Sequence, residues 1–238
     1  MFSKRWNYWL RTLEAGQVLA EPIPQIDWLE IPLKEPKKNL ETCINLCHNR
    51  NRRDAFDLFL EWLLFGFGDP SVKQLPSQIE SKLSAAWYKT FNLGLYLQHP
   101  YDYLGEFAAE LYGSGRHNPT AYYPTPMSVS LMMARMMMSE SDKTTSVCDP
   151  CLGSGRLLMA ASNYSLNLYG MDIDARIINV SLANFWQYVP WAVCRPNNID
   201  GLDAVQQPDA DSLAVRPIVK TTKETQDKLL NGVQLELF

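Results

Sequence analysis

The sequence predicts an α/β protein, in which a mainly helical N-terminal region precedes part of a parallel sheet. Residues 1–115 carry apolar residues at the three- and four-residue spacing of amphipathic helices. Residues 116–205 instead alternate short apolar runs with helical segments, and a glycine turn follows the first run. This alternation is typical of the βαβ units of a partial Rossmann-like, doubly wound fold. Residues 206–238 are polar and charged, and we expect a flexible tail there.

The N-terminal region is predicted to contain several amphipathic helices. The first has an apolar face formed by Trp6, Trp9, Leu10 and Leu13. We expect this face to pack in the core, although tryptophan beside basic residues also suits stacking on nucleic acid. Helical spacing recurs in residues 39–65, 77–97 and 101–112, and glycines follow two of these segments.

The second region is predicted to contribute three helices and three strands. The helices are residues 127–138, 155–163 and 175–189, and the strands are residues 145–148, 168–171 and about 193–199. We expect the methionines at positions 132, 133 and 136–138 to fill gaps in the core. A sheet of this size leaves an edge exposed, which we expect the N-terminal helices or a second copy of the chain to cover.

A glycine turn after the first predicted strand is the strongest indication of a binding site. Val147-Cys148-Asp149 is followed by Gly153-Ser154-Gly155 and then by a helix. Glycines let a ligand approach the main chain closely, and the start of a helix offers unpaired N–H groups. Asp149 would repel a phosphate but suits an amine, and no Lys-Ser or Lys-Thr pair follows the second glycine. The turn therefore predicts a site for an amine-bearing ligand rather than a phosphate-binding loop.

Further segments surround this turn in a specific order. Tyr122-Tyr123-Pro124-Thr125-Pro126 precedes it, and two acidic segments, Tyr169–Asp174 and Ile199–Asp203, follow it. Together with Asp102–Phe107, this order resembles the cofactor-binding motifs of N6-adenine DNA methyltransferases. The resemblance covers roughly residues 100–205 and is greatest to the modification subunits of type I restriction systems. It implies S-adenosylmethionine as the cofactor and DNA as a partner.

The resemblance also implies roles for individual residues. Thr125 would contact the carboxylate end of the methionine moiety, Asp149 its amino group, and Asp172 the ribose hydroxyls. Asp203 would lie near the adenine amino group, although one extra residue separates it from the preceding glycine. The complete set of predicted cofactor-binding residues is Tyr123, Thr125, Pro126, Asp149, Pro150, Gly153, Ser154, Gly155, Asp172, Ile173 and Asp203.

The catalytic tetrapeptide of adenine-amino methyltransferases is not found. That motif is Asn, Asp or Ser followed by Pro-Pro and an aromatic residue, and it holds the amine of a base flipped out of the duplex. Tyr188-Val189-Pro190-Trp191 and Gln98-His99-Pro100-Tyr101 each contain a single proline. We therefore assign no catalytic residues and expect the target-base half to be absent or to lie on another chain. Two functions stay open: a methyltransferase that needs a partner, or a non-catalytic relative acting as a DNA- or clamp-binding module.

The last residues suggest a second partner. The sequence Gln234-Leu235-Glu236-Leu237-Phe238 is similar to the peptides by which bacterial replication and repair proteins dock on the DNA sliding clamp. Leu237 and Phe238 would serve as apolar anchors, Gln234 would fix the orientation by hydrogen bonding, and Leu235 completes the predicted partner-binding set. The alternative that this peptide packs against its own domain stays open.

Composition limits the remaining possibilities. The net charge of −4 excludes a protein that wraps DNA with a generally basic surface, so any DNA contact must be local. No apolar run approaches the ~20 residues of a membrane helix, and we expect a cytoplasmic protein without membrane contact. The five cysteines are expected to be reduced, and Cys148 and Cys151 to bind no metal.

Overall fold

The computed structural model describes residues 4–112, 122–139, 142–195 and 199–202. Their helices and strands are α1 (Lys4–Ala15), α2 (Lys34–Asn45), α3 (Arg52–Phe67), α4 (Ser81–Thr90), α5 (Leu93–Gln98), α6 (Tyr103–Tyr112), α7 (Met127–Met137), β1 (Val147–Asp149), α8 (Arg156–Ala161), β2 (Leu168–Gly170), α9 (Ala175–Tyr188) and α10 (Pro190–Val193). Six of these helices, α1 to α6, lie in residues 4–112, the described part of the region 1–115 that is predicted to be mainly helical. Among the helices in these ranges, none has the length and apolarity needed to cross a membrane.

Helix α3 connects the helical region to the rest of the molecule. It begins at Asn51, whose side-chain oxygen accepts the backbone N–H groups of Arg53 and Asp54 at 3.1 and 3.0 Å. It ends at Gly68, which takes the left-handed conformation at φ 76°. Its buried apolar residues pack against α2 on one side and against α9 on the other. The two sequence regions therefore share a packed interface.

The tryptophans of α1 lie in the core, as predicted. Trp9 is fully buried, and its indole N–H donates to the carbonyl of Cys194 at 2.7 Å. The ring of Trp6 stacks on that of Trp186, with 5.5 Å between centroids. Leu13 is buried as well. Because these rings are covered by α9 and α10, they cannot stack on nucleic acid.

Within the described residues the sheet has two strands, where the sequence predicts three, and residues 196–198 of the predicted third strand lie outside those residues. β1 and β2 are parallel, with Val147 opposite Leu168, and α8 is the crossover between them. The strand predicted near residues 193–199 is wrong at its start, where residues 190–193 form α10 with Pro190 at its first turn. These four residues are all buried, so their apolar run carries no periodicity that separates strand from helix. Within the described ranges, residue 200 makes only an isolated bridge to Gln17.

The two edges of this sheet differ. α10 packs against β2, and α1 packs against α10, so the N-terminal region reaches that side. The other edge is formed by β1. Val147 and Asp149 use their backbone groups on the β2 side: the N–H of Val147 donates to the carbonyl of Asn167, and the carbonyl of Asp149 accepts the N–H of Met171. In a parallel pair the residue between them, Cys148, then directs its N–H and C=O away from β2. No strand in the described part of the chain pairs there.

Helix α7 exposes one apolar face. Its other face is buried and packs on α8. The exposed face consists of Val129, Met132, Met133, Met136 and Met137, of which the last two are each 78% exposed. The expectation that these methionines fill the core is wrong for the four of them on this face. Apolar residues lie on both faces of α7, and the described residues cover only one of these faces.

Candidate functional site

A cavity of about 290 Å³ opens at the carboxyl ends of β1 and β2. This is where ligands bind in open parallel sheets, because the strand ends and the following turns meet there. Its lining comprises Tyr122, Tyr123, Pro124, Thr125, Asp149, Pro150, Cys151, Leu152, Gly153, Ser154, Arg156, Leu157, Asp172, Ile173, Asp174 and Ile177. Eight of the predicted cofactor-binding residues are therefore in one cavity, although they come from three separate segments of the sequence.

The turn after β1 is held by backbone hydrogen bonds. Asp149 accepts the N–H of Cys151 at 3.1 Å, and Leu152 donates to the carbonyl of Met171 at 2.9 Å, just after β2. Gly153 takes φ 56°, a left-handed conformation that residues with a side chain rarely adopt. The turn is thus tied to both strand ends by hydrogen bonds.

Asp172 organises the cavity from the end of β2. One of its carboxylate oxygens accepts the N–H of Gly153 at 2.8 Å, and the other accepts the N–H of Asp174 at 2.9 Å. Each oxygen retains a further lone pair for a ligand donor. The predicted role of Asp172 at ribose hydroxyls stays a prediction, but its carboxylate has a second function that the sequence did not indicate: it holds the glycine turn.

The cavity lining carries three carboxyl groups and one guanidinium group. Burial raises the pKa of the Asp149 carboxyl, a hydrogen bond from the Cys151 N–H opposes this, and the charge of Asp172 raises the pKa further. The lining cation, Arg156, is engaged by Asp102 at 2.6 Å and Glu106 at 2.9 Å. The two carboxylates at the strand ends are therefore not neutralised from within the cavity lining, and a cationic ligand is favoured over an anionic one.

Two exposed apolar side chains flank the opening. Tyr123 is 73% exposed and Ile173 is 77% exposed, yet both line the cavity. Exposed side chains of this size leave apolar area uncovered, which a flat ring can bury. The site thus combines a buried acidic floor with an open, apolar rim.

Several functional candidates fall outside the cavity. Gly155 is packed against Phe185 and Pro126 precedes α7, so neither lines it. Asp203 and the C-terminal residues Gln234, Leu235, Leu237 and Phe238 lie outside the described residues. Cys148 and Cys151 are free and exposed, and the described ranges contain no group of side chains suited to a metal ion.

Sequence reasoning gave no site role to four polar residues: Arg156, which lines the cavity, and Asp102, Glu106 and Asn184, which do not. Arg156 donates to the carbonyl of Thr125 at 3.1 Å as well as to both acids. Asn184 could have been found, because in the sequence it stands between the apolar pairs Leu182-Ala183 and Phe185-Trp186. A polar residue in such a stretch requires a buried partner, which here is Asp102.

Comparison with known proteins supports the predicted resemblance for part of the chain. Residues 97–187 match the family model described as N-6 DNA methylase. This segment runs from the end of α5 to the last turn of α9 and includes β1, β2 and the glycine turn. Searches of curated proteins and of solved structures found no match. The matched segment is therefore similar to N6-adenine DNA methyltransferases, and it covers less than half of the chain.

Proposed function

We propose that the cavity binds S-adenosylmethionine and that this chain is the cofactor-binding part of an N6-adenine DNA methyltransferase. The observation that carries this proposal is the meeting of Asp149, Asp172 and the glycine turn in one negatively charged cavity. That cavity lies inside the segment similar to the N-6 DNA methylase family. Its volume, about 290 Å³, is at the lower end of the range of ligand pockets.

The residues present suit the chemical groups of this cofactor. Asp149, 6% exposed, would hold the ammonium group, and Asp172 would accept the ribose hydroxyls. Tyr123 and Ile173 would cover apolar parts of the molecule at the rim. The bound cofactor supplies an electrophilic methyl group for a nucleophilic amine. The contribution of this chain is to bind and orient it, since positioning accounts for much of the rate of such a transfer.

Calorimetry of the full chain with S-adenosylmethionine tests this proposal. We expect micromolar affinity, about −8 kcal/mol, and at least a tenfold loss in Asp172→Ala. Asp27→Ala, which removes an exposed carboxylate outside the cavity, is the matched control and should bind normally. ATP should not compete, because its phosphates would face two carboxylates. Absence of heat with the unaltered chain, or equal affinity of the Asp172 and Asp27 variants, would exclude the proposed site.

The target-base half is proposed to come from a second, different subunit, because a second copy of this chain would lack the same motif. The sequence lacks the Asn/Asp/Ser-Pro-Pro-aromatic tetrapeptide. Accordingly, we expect no methyl transfer to duplex DNA by the purified chain. Tritium transfer from labelled cofactor measures this directly. If the unaltered chain labels adenine in the DNA and Asp149→Ala does not, the need for a partner is contradicted.

The alternative function is a non-catalytic relative that acts as a DNA- or clamp-binding module. The missing tetrapeptide and the terminal sequence Gln234–Phe238 favour it. A pull-down with a purified bacterial sliding clamp tests the second feature, with a chain shortened by those five residues as the control. Equal recovery of both chains would remove the clamp from the proposed partners.

A further inference from the structure

A fully buried carboxylate joins four segments behind the cavity. Asp102 is 0% exposed and does not line the cavity. One oxygen accepts the backbone N–H of Gly105 and the side-chain amide of Asn184, each at 2.7 Å. The other accepts the hydroxyl of Ser154 and, at 2.6 Å, Nε of Arg156. These donors occupy the roughly four acceptor sites of a carboxylate. They come from α6, α9, the glycine turn and α8.

Arg156 links Asp102 to the opposite wall of the cavity. While its Nε contacts Asp102, one terminal nitrogen donates to the carbonyl of Thr125 at 3.1 Å and the other to Glu106 at 2.9 Å. The guanidinium group also lies 5.5 Å from the centre of the Tyr101 ring. A planar fork can make these three bonds at once, whereas a lysine ammonium at the same place cannot reach all three partners.

The packing around Gly105 shows how closely α6 approaches the turn. A Cβ atom at this position would lie 2.1 Å from an oxygen of Asp102 and 2.5 Å from Cβ of Ser154. Such distances are far inside van der Waals contact, so no side chain fits. The backbone of α6 and the glycine turn are therefore in direct contact, and a displacement of either one breaks the hydrogen bonds of Asp102.

Given the cofactor site proposed above, we propose that Asp102 is a positioning residue for it. Through Ser154 it holds the glycine turn, and through Arg156 it holds Thr125, so two walls of the cavity keep a constant separation. The affinity for the cofactor then depends on a residue that lies outside the cavity. The N-terminal helical region contributes to binding in the same way, because Asp102 directly precedes α6.

The test compares Asp102→Asn and Arg156→Lys with Arg5→Lys as a matched control. Arg5 is a second buried arginine, 2% exposed, whose guanidinium donates to the side chains of Ser162 and Asn163 and to the carbonyl of Tyr188. It therefore joins α1 to the far end of α8 and makes no bond to the glycine turn. All three substitutions should lower the unfolding temperature, so loss of stability alone cannot separate them.

Two measurements are made at a temperature at which circular dichroism shows every variant folded. The first is hydrogen exchange of the amides of residues 151–155 without ligand, and the second is the dissociation constant for S-adenosylmethionine. In Asp102→Asn and Arg156→Lys we expect exchange to accelerate about tenfold and binding to weaken about tenfold, which is ~1.4 kcal/mol. In Arg5→Lys both should stay within about twofold of the unaltered chain.

Normal exchange and normal affinity in a folded Asp102→Asn variant would overturn the positioning role. Should the unaltered chain not bind S-adenosylmethionine, the proposed function fails, yet the exchange measurement still decides whether Asp102 holds the turn. If Asp102→Asn does not fold, Ser154→Ala takes its place. This variant removes one hydroxyl donor and should accelerate exchange in the same direction, about threefold. Unchanged exchange in Ser154→Ala would also overturn the role.

Discussion

The two glycines of the turn are required for different reasons. Sequence reasoning assigned both Gly153 and Gly155 to close approach of a ligand. Gly153 lines the cavity, and its predicted role there stays a prediction. Gly155 instead takes φ 89°, and a Cβ atom there would lie 2.6 Å from the ring of Phe185 on α9. Because Gly155 has no side chain, α8 can begin directly against α9. Packing therefore requires glycine at this position.

Replacing Gly155 with alanine should therefore lower the free energy of unfolding by about 2–4 kcal/mol, from left-handed backbone strain and overpacking together. Gly16→Ala is the matched control, since Gly16 has φ 65° but nothing within 4 Å of its Cβ position. It should cost only about 1 kcal/mol. Urea denaturation gives both values. Equal losses in the two variants would mean that contact with Phe185 does not restrict position 155.

At the scale of elements, α7 is unusual because it is apolar on two faces. Ser130, Leu131 and Ala134 face the interior, while the methionines at positions 132, 133, 136 and 137 are exposed. The helix packs on α8, which covers β1 and β2. Within the described residues, the methionine face of α7 and the outer edge of β1 are both uncovered. A second copy of the chain is one of the two covers expected for the sheet edge.

The charged double variant Met133→Glu/Met136→Glu tests whether a second copy covers α7. If it does, the unaltered chain should show a concentration-dependent mass increase by light scattering, and the double variant should remain a monomer. Both side chains are exposed in the single chain, so the free energy of unfolding should change by less than about 0.5 kcal/mol. The double variant Ser77→Glu/Gln78→Glu, at two exposed positions outside α7, is the control. A monomeric unaltered chain at all concentrations leaves only the second-subunit alternative.

At the scale of the whole molecule, both sequence regions share one hydrophobic core. Buried residues from Trp6 to Ile199 form a single cluster. Helix α9 lies at its centre and packs on α3, α6 and α10. The ring of Trp186 on α9 stacks against Trp6 on one side and Phe67 on the other. The segment similar to the methylase family thus depends on α1 and α3, which lie outside that similarity.

A fragment comprising residues 97–202 should not fold on its own, although it includes the whole segment similar to the family. Its α9 would expose the apolar surface that α3 and α1 cover in the full chain. We expect binding of an apolar dye and loss of a cooperative thermal transition, measured by fluorescence and by calorimetry. The full chain measured beside it is the reference. A cooperative transition in the fragment would mean that the N-terminal helices are dispensable.

The sequence by itself determined the local features of this protein. Glycine spacing, acidic residues at strand ends and amphipathic periodicity depend on near neighbours, so they predicted most of the helices, β1, β2 and the turn between β1 and α8. Through its resemblance to a family it also indicated which residues gather in one cavity. Residues 190–193 could not be assigned in this way, because an apolar run that is buried on every side has no period.

Only the tertiary structure decided which long-range partners these features have. Asp102 and Asn184 are 82 residues apart in the chain yet share a hydrogen bond. In the same way, the burial of each methionine of α7 depends on which element of the folded chain packs against that face of the helix. Contacts between distant segments produce no periodic pattern in a single sequence. They depend on how well the shapes and charges of the two segments fit each other in the folded chain.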